Sequence, residues 1–269
     1  MLHELKGLSV AEQLDLVPEG TILLGYRGSI AHGMYLHPDH PNSVDDKDLL
    51  GVAIGPLESY LGLSHFEQHE RQLREWDVVV YEARKFIHLL EKANPNVLSL
   101  LWLEPHFYIV RTPWGETLLH RRDLFVSKQV YPAFVGYAHG QFKRMTHHAQ
   151  FGYMGAKRKA LVEQYGFDTK NAAHLIRILR MGIEFLVDGE LHVFRHDASQ
   201  LIEIKTGQWT LEQVKQEAAH LFKRAEAAYD ASKLPLRADH KKISQLCLHL
   251  LWGYFKGEHW KAGRAPVPW

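Results

Sequence analysis

The chain has 269 residues, 46% of them hydrophobic, and a net charge of +1. That composition excludes a disordered chain and gives length for one large domain or two small ones. The single cysteine, Cys247 in an apolar stretch, excludes an intrachain disulfide, no apolar run approaches the roughly 18 residues of a membrane span, and no apolar leader follows Met1; the expected location is the cytoplasm.

Taken in chain order, the first 19 residues predict a helix over about 10–16, ended by Pro18-Glu19-Gly20. A strand follows at 21–26. Gly28-Ser29 opens a short helical turn. A loop of turn formers (Pro38, Asp39, Pro41, Asn42, Ser43) then leads to a strand near 47–54. β-branched and aromatic content predicts a strand at 76–81, then helices over about 82–92 and 95–103, with a further strand after the break at Pro105. From about residue 115 the pattern is helical: about 134–148, 151–165, 169–188, 210–231 and 239–255. The 262–269 tail is rich in glycine and proline and is expected to be loosely held. The predicted class is α+β, with a small mixed sheet and flanking helices in residues 1–115 and an all-α domain in residues 116–269 closing a cleft between them.

Residues two apart on a strand point the same way, so Asp46 and Asp48 present both carboxylates to one point. Their repulsion is removed by a bound divalent cation, and hard oxygen ligands suit magnesium. Gly28-Ser29 offers backbone N–H groups and a hydroxyl to a phosphate. A phosphate cradle beside metal-binding carboxylates is the chemistry of nucleotidyl transfer. The strand near 76–81 has three acids at or beside it, Glu75, Asp77 and Glu82. Asp77, Val79 and Tyr81 share one strand face. The more apolar set, Trp76, Val78 and Val80, is expected to face the core.

Charge divides unevenly. Residues 1–120 carry 9 basic and 17 acidic side chains, a net −8, and residues 121–269 carry 23 and 14, a net +9. An acidic front half suits a divalent metal and a basic back half suits a polyanion. Lys170, His174 and Arg177 fall on one face of the 169–188 helix, beside the apolar stripe of Leu175, Ile178, Leu179, Ile183 and Leu186. His32, His37 and His40 read as loop histidines, although His37-x-x-His40 has a zinc-compatible spacing. The His147-His148 pair reads as surface.

The ordered combination of strand, Gly28-Ser29, Asp46-Lys47-Asp48, an apolar strand with Gly51, and Asp77 resembles the signature of the DNA polymerase beta nucleotidyltransferase superfamily. The stretches Tyr81–Leu90, Lys92–Trp102 and Asp168–Gly182 are similar to its RNA-ligase-associated, RNA-repair-pathway family, and the resemblance spans roughly residues 20–260. It implies a sheet of nucleotidyltransferase type. It implies that Asp46, Asp48 and Asp77 are the catalytic, metal-binding residues, holding two magnesium ions with manganese as a substitute. Gly28, Ser29, Arg27, Lys170, His174 and Arg177 would then bind an NTP. The implied reaction moves an NMP to an acceptor hydroxyl, foremost an RNA or tRNA 3′ end, and releases pyrophosphate. One position departs from the family: a basic residue is expected directly after Gly-Ser, where this chain has Ile30, and Arg27 is the nearby substitute. A small-molecule or protein acceptor, and a non-catalytic nucleotide- or RNA-binding module, stay open, as does the oligomeric state.

Overall fold

A computed structural model of the protein describes residues 5, 8–43, 46–146 and 156–261. Val44, Asp45, the His147-His148 pair and the 262–269 tail lie outside the described residues. Helix α1 (Val10–Leu16) begins where Ser9 and Glu12 form a capping box, each satisfying the other's backbone N–H. β1 (Thr21–Tyr26), the single-turn α2 (Gly28–Ala31), β2 (Lys47–Ala53), the single-turn α3 (Glu58–Leu61), β3 (Gln68–Leu73) and β4 (Trp76–Glu82) follow. The buried Glu82 caps α4 (Ala83–Glu91) by accepting the Lys85 N–H. Asn94 and Pro95 start α5 (Pro95–Leu98), which tightens into a 3-10 turn through Trp102. β5 (Tyr108–Arg111) and α6 (Pro113–His120) complete this half.

Among the described residues the sheet has five strands in the order β3-β4-β2-β1-β5. β2 and β4 are parallel, and the other pairs are antiparallel. β3 has no counterpart in the sequence reading. Its residues Gln68, Glu70, Arg71 and Gln72 are exposed, and a polar edge strand carries no apolar alternation to detect. The expectation for β4 needs a correction. Trp76, Val78 and Val80 are buried, but in a smaller second cluster under the N-terminal Leu5, Leu8, Leu16 and Val17. The main core lies on the other face, with Val79 and the β2 residues Leu50 and Val52. A sheet covered on both faces buries both parities, so the more apolar face need not be the one toward the larger core.

The second half contains α7 (Val130–Thr146), α8 (Ala156–Tyr165), α9 (Thr169–Asp188), α10 (Ala198–Lys205), α11 (Leu211–Ala231) and α12 (His240–Lys261). α9 is the hub, packed by α7, α10 and α11. Leu175, Ile178, Leu179 and Leu186 of its stripe are all buried, and Gly189 ends it in the left-handed conformation at φ 72. α10 has no counterpart in the sequence reading. Its Leu201, Ile202 and Ile204 are as consistent with a strand as with a two-turn helix. α12 returns to pack on α4 and α6, so one core runs continuously from Ile22 to Leu250. Among the described residues no helix is long and apolar enough to cross a membrane.

An ion network fixes the α9–α10 connection. The wholly buried Arg195 side chain donates from both terminal nitrogens to Glu184, and from Nε to Asp197 at 2.8 Å. Asp197 also accepts from Arg180 at 2.8 Å, and Arg180 reaches Glu217 at 2.7 Å. Burial alone would raise the Asp197 carboxyl, but the hydrogen bonds from Arg195 and Arg180 outweigh it and hold it at about 2. A carboxyl depressed on folding stabilises above its unfolded pKa of about 3.9, and that contribution is lost as the pH falls toward 2. Asp197→Asn is therefore expected to cost about 2–4 kcal/mol at pH 7, somewhat less than breaking an isolated buried pair, because Arg195 keeps Glu184 and Arg180 keeps Glu217. The difference from the parent should narrow below about pH 4. Thermal melts across that range check it, and a pH-independent difference would contradict it.

Candidate active site

β1 ends at Tyr26, and Arg27 and Gly28 turn the chain into α2. Gly28 has φ +64, a conformation that favours glycine, and a Cβ there would run into the Asp48 carboxylate. The Gly-Ser turn is thus seated directly on the acid of β2. Asp48 lies in register with Asp77 across the parallel β2–β4 pair, so both carboxylates leave the same sheet face. Arg27 lies against both, with one guanidinium nitrogen 3.2 Å from Asp77 Oδ2 and 3.9 Å from Asp48 Oδ1. Burial pushes the Asp48 carboxyl up to about 6 despite Arg27 and Lys170, and Asp77 and Asp46 add like charge. Asp46 precedes β2 and is exposed.

The competing acids are otherwise engaged. Glu75 pairs with Lys47 at 2.8 Å, and Glu82 caps α4. Among the described residues no three histidine, cysteine, aspartate or glutamate side chains are gathered as a ready ligand set. The donor chemistry nevertheless fits a hard cation: paired carboxylate oxygens on one face, with a guanidinium between them offsetting their charge.

Beside these acids lies a cleft of about 270 Å³. Arg27, Gly28, Ser29 and Asp48 line it from the sheet half, and Lys170, His174 and Arg177 line it from α9. Asp77 is not among the lining residues and is linked to them through Arg27. Asp168 caps α9 by accepting the Asn171 N–H at 3.0 Å, so Lys170 stands in the first turn, where the helix dipole is positive. Arg177 is buried rather than part of a solvated stripe.

The cleft also contains residues that sequence reasoning missed. Met34, Pro95, Asn96, Ser99 and Lys205 join the lining, as does His32. His32 is not a loop histidine on the surface: it is buried, bonded to the Val193 carbonyl and to Arg177. His37 and His40 do lie exposed, His37 paired with Asp39 at 3.0 Å. Lys205 donates to the Met34 carbonyl at 2.9 Å, and Asn42 donates to Tyr165 Oη and the Thr206 carbonyl. The segment between the Gly-Ser turn and β2 is therefore tied to the helical half. The turn formers there gave a loop; nothing in a single sequence marked which of its residues would dock.

A mixed sheet with a Gly-Ser turn set against an aspartate of the next strand is the arrangement expected of a nucleotidyltransferase of the polymerase beta class. Residues 8–247 match the RNA repair pathway DNA polymerase beta family, and the chain belongs to that family. No curated protein matches the sequence. A solved nucleotidyltransferase-like protein from Exiguobacterium sibiricum 255-15 aligns at 10% identity over 92% of this chain and 78% of that one, with a TM-score of 0.30.

Proposed function

We propose that the protein transfers a nucleoside monophosphate from an NTP to an acceptor hydroxyl, foremost the 3′ end of an RNA, and releases pyrophosphate. The observation that carries this reading is the make-up of the cleft: the Gly28-Ser29 turn and Asp48 face Lys170, His174 and Arg177 across it. One side is suited to a divalent cation and the other to a polyphosphate. In this reading residues 1–115 carry the acids and residues 116–269 close the cleft over the nucleotide.

Asp46, Asp48 and Asp77 would hold two magnesium ions, for which manganese would substitute. When bound, these supply charge stabilisation to the entering and leaving oxygens of the displacement. Gly28 and Ser29 offer N–H groups and a hydroxyl to the terminal phosphates. Lys170 and Arg177 neutralise the triphosphate and orient it, with His174 beside them. Arg27 exchanges its carboxylate partners for phosphate oxygens as the nucleotide enters. The acceptor oxygen forms a bond to the α-phosphorus while the bond to the bridging oxygen of pyrophosphate breaks. Asp77, more exposed than Asp48, takes the hydroxyl proton.

Gly28→Val is expected to abolish NTP binding, because the side chain displaces the Asp48 carboxylate, while circular dichroism stays as in the parent. Unchanged affinity by calorimetry would contradict the cradle. The reading as a whole is tested with each labelled NTP, magnesium and a pool of tRNA and oligonucleotides. The expected result is label joined to RNA with matching pyrophosphate release from at least one NTP. No pyrophosphate from any of them would reject nucleotidyl transfer, and label appearing only in protein or a small molecule would reject the RNA acceptor.

A further inference from the structure

We infer that His32 is a positioning residue that orients Arg177 toward the anionic substrate; the inference rests on the nucleotide reading above and deepens it. Arg177 Nη1 lies 2.6 Å from His32 Nε2, and His32 Nδ1 lies 2.8 Å from the Val193 carbonyl. A carbonyl oxygen only accepts, so Nδ1 carries the ring proton. Nε2 is then a lone-pair acceptor, which suits the N–H of a guanidinium. The relay fixes the tautomer, and the tautomer fixes the direction in which the guanidinium is held. Burial first, and then the Arg177 charge with His174 and Arg195 beyond it, keeps the ring neutral, as this arrangement requires.

Arg177 is an unusual buried cation. Among the described residues its hydrogen bonds go to His32 and to the Met181 sulfur at 3.1 Å, and to no carboxylate. Its neighbour Arg195, by contrast, is saturated by Glu184 and Asp197. A buried guanidinium that lines a cleft and meets only neutral acceptors keeps charge available for an anion that enters. A neutral imidazole is suited to hold it, because a carboxylate in the same place would neutralise it. His32 sits one turn after Gly28, so the residue holding the cation is on the same turn that faces the phosphates.

The test measures binding of ATP with magnesium, and of inorganic tripolyphosphate, by calorimetry in the parent, H32A, H32Q, R177A and H32A/R177A. Gln presents an acceptor near the Nε2 position, so H32Q should bind within about threefold of the parent. H32A should lose about tenfold, the scale of a hydrogen bond to a charged group. The double variant should bind no more weakly than R177A, because His32 acts only through Arg177. Thermal melts separate these losses from unfolding. H32A binding like the parent, or losses that add in the double variant, would overturn the positioning role while leaving Arg177 as a nucleotide contact. R177A binding like the parent would overturn the nucleotide reading of this wall and the His32 role with it.

Discussion

Asp48→Asn is expected to leave no measurable turnover with any NTP, while the fold stays intact. Asp48 is the acid on which the Gly28 turn is seated, in register with Asp77 and within reach of Arg27. Asparagine keeps the shape and one oxygen but removes the charge that would hold a divalent ion. An interaction needed in the transition state shows in kcat, so the loss should fall there, by several orders of magnitude, rather than in KM. Asp46→Asn is expected to behave likewise. Burial already disfavours a charged Asp48, so losing that charge should not destabilise the protein. A thermal melt at or above the parent's, combined with absent turnover, is the expected pair of results. Near-parental activity would remove Asp48 from the catalytic set.

The second large effect is on binding. Arg177→Ala is expected to weaken NTP affinity by roughly 1.5–3 kcal/mol, the range for hydrogen bonds to a charged group. Arg177→Lys should recover only part of that. A lysine keeps the charge but lacks the planar fork that grips two oxygens at once, and it cannot donate to His32 in the same geometry. Calorimetry with a non-hydrolysable NTP checks both. If lysine restores full affinity, the contact is a point charge and not an oriented clamp.

Much of this was legible in the sequence, for identifiable reasons. β1 and β2 were visible because apolar runs there are bounded by turn formers. α9 was visible because its period is helical and Asp168 and Gly189 punctuate it. Arg27, Gly28, Ser29, Asp48, Lys170, His174 and Arg177 all line the cleft; strand parity places Asp48 and helical spacing groups the three α9 residues, but joining them to the Gly-Ser turn in one site came from the family resemblance. Asp77 is preferred in the sequence to Glu75, which lies further out, and to Glu82, which has the other parity and starts the next helix; the contacts of those two acids with Lys47 and the α4 N-terminus are what the sequence does not display. β3 and α10 were missed because a polar edge strand and a two-turn helix give too little periodicity. His32 and Lys205 were missed for a different reason. Their roles come from contacts to Arg177, Val193 and Met34, which are more than a hundred residues away in sequence.

The central claim, that paired acids and a basic helix face bind one nucleotide between them, is tested most directly by manganese anomalous scattering from crystals grown with a non-hydrolysable NTP. The account predicts manganese bound by the Asp48 and Asp77 carboxylates, Arg27 turned away from them, and the triphosphate reaching from the Gly28-Ser29 turn to Lys170 and Arg177. Manganese bound elsewhere, or a nucleotide outside this cleft with Arg27 still paired to Asp48 and Asp77, would contradict it.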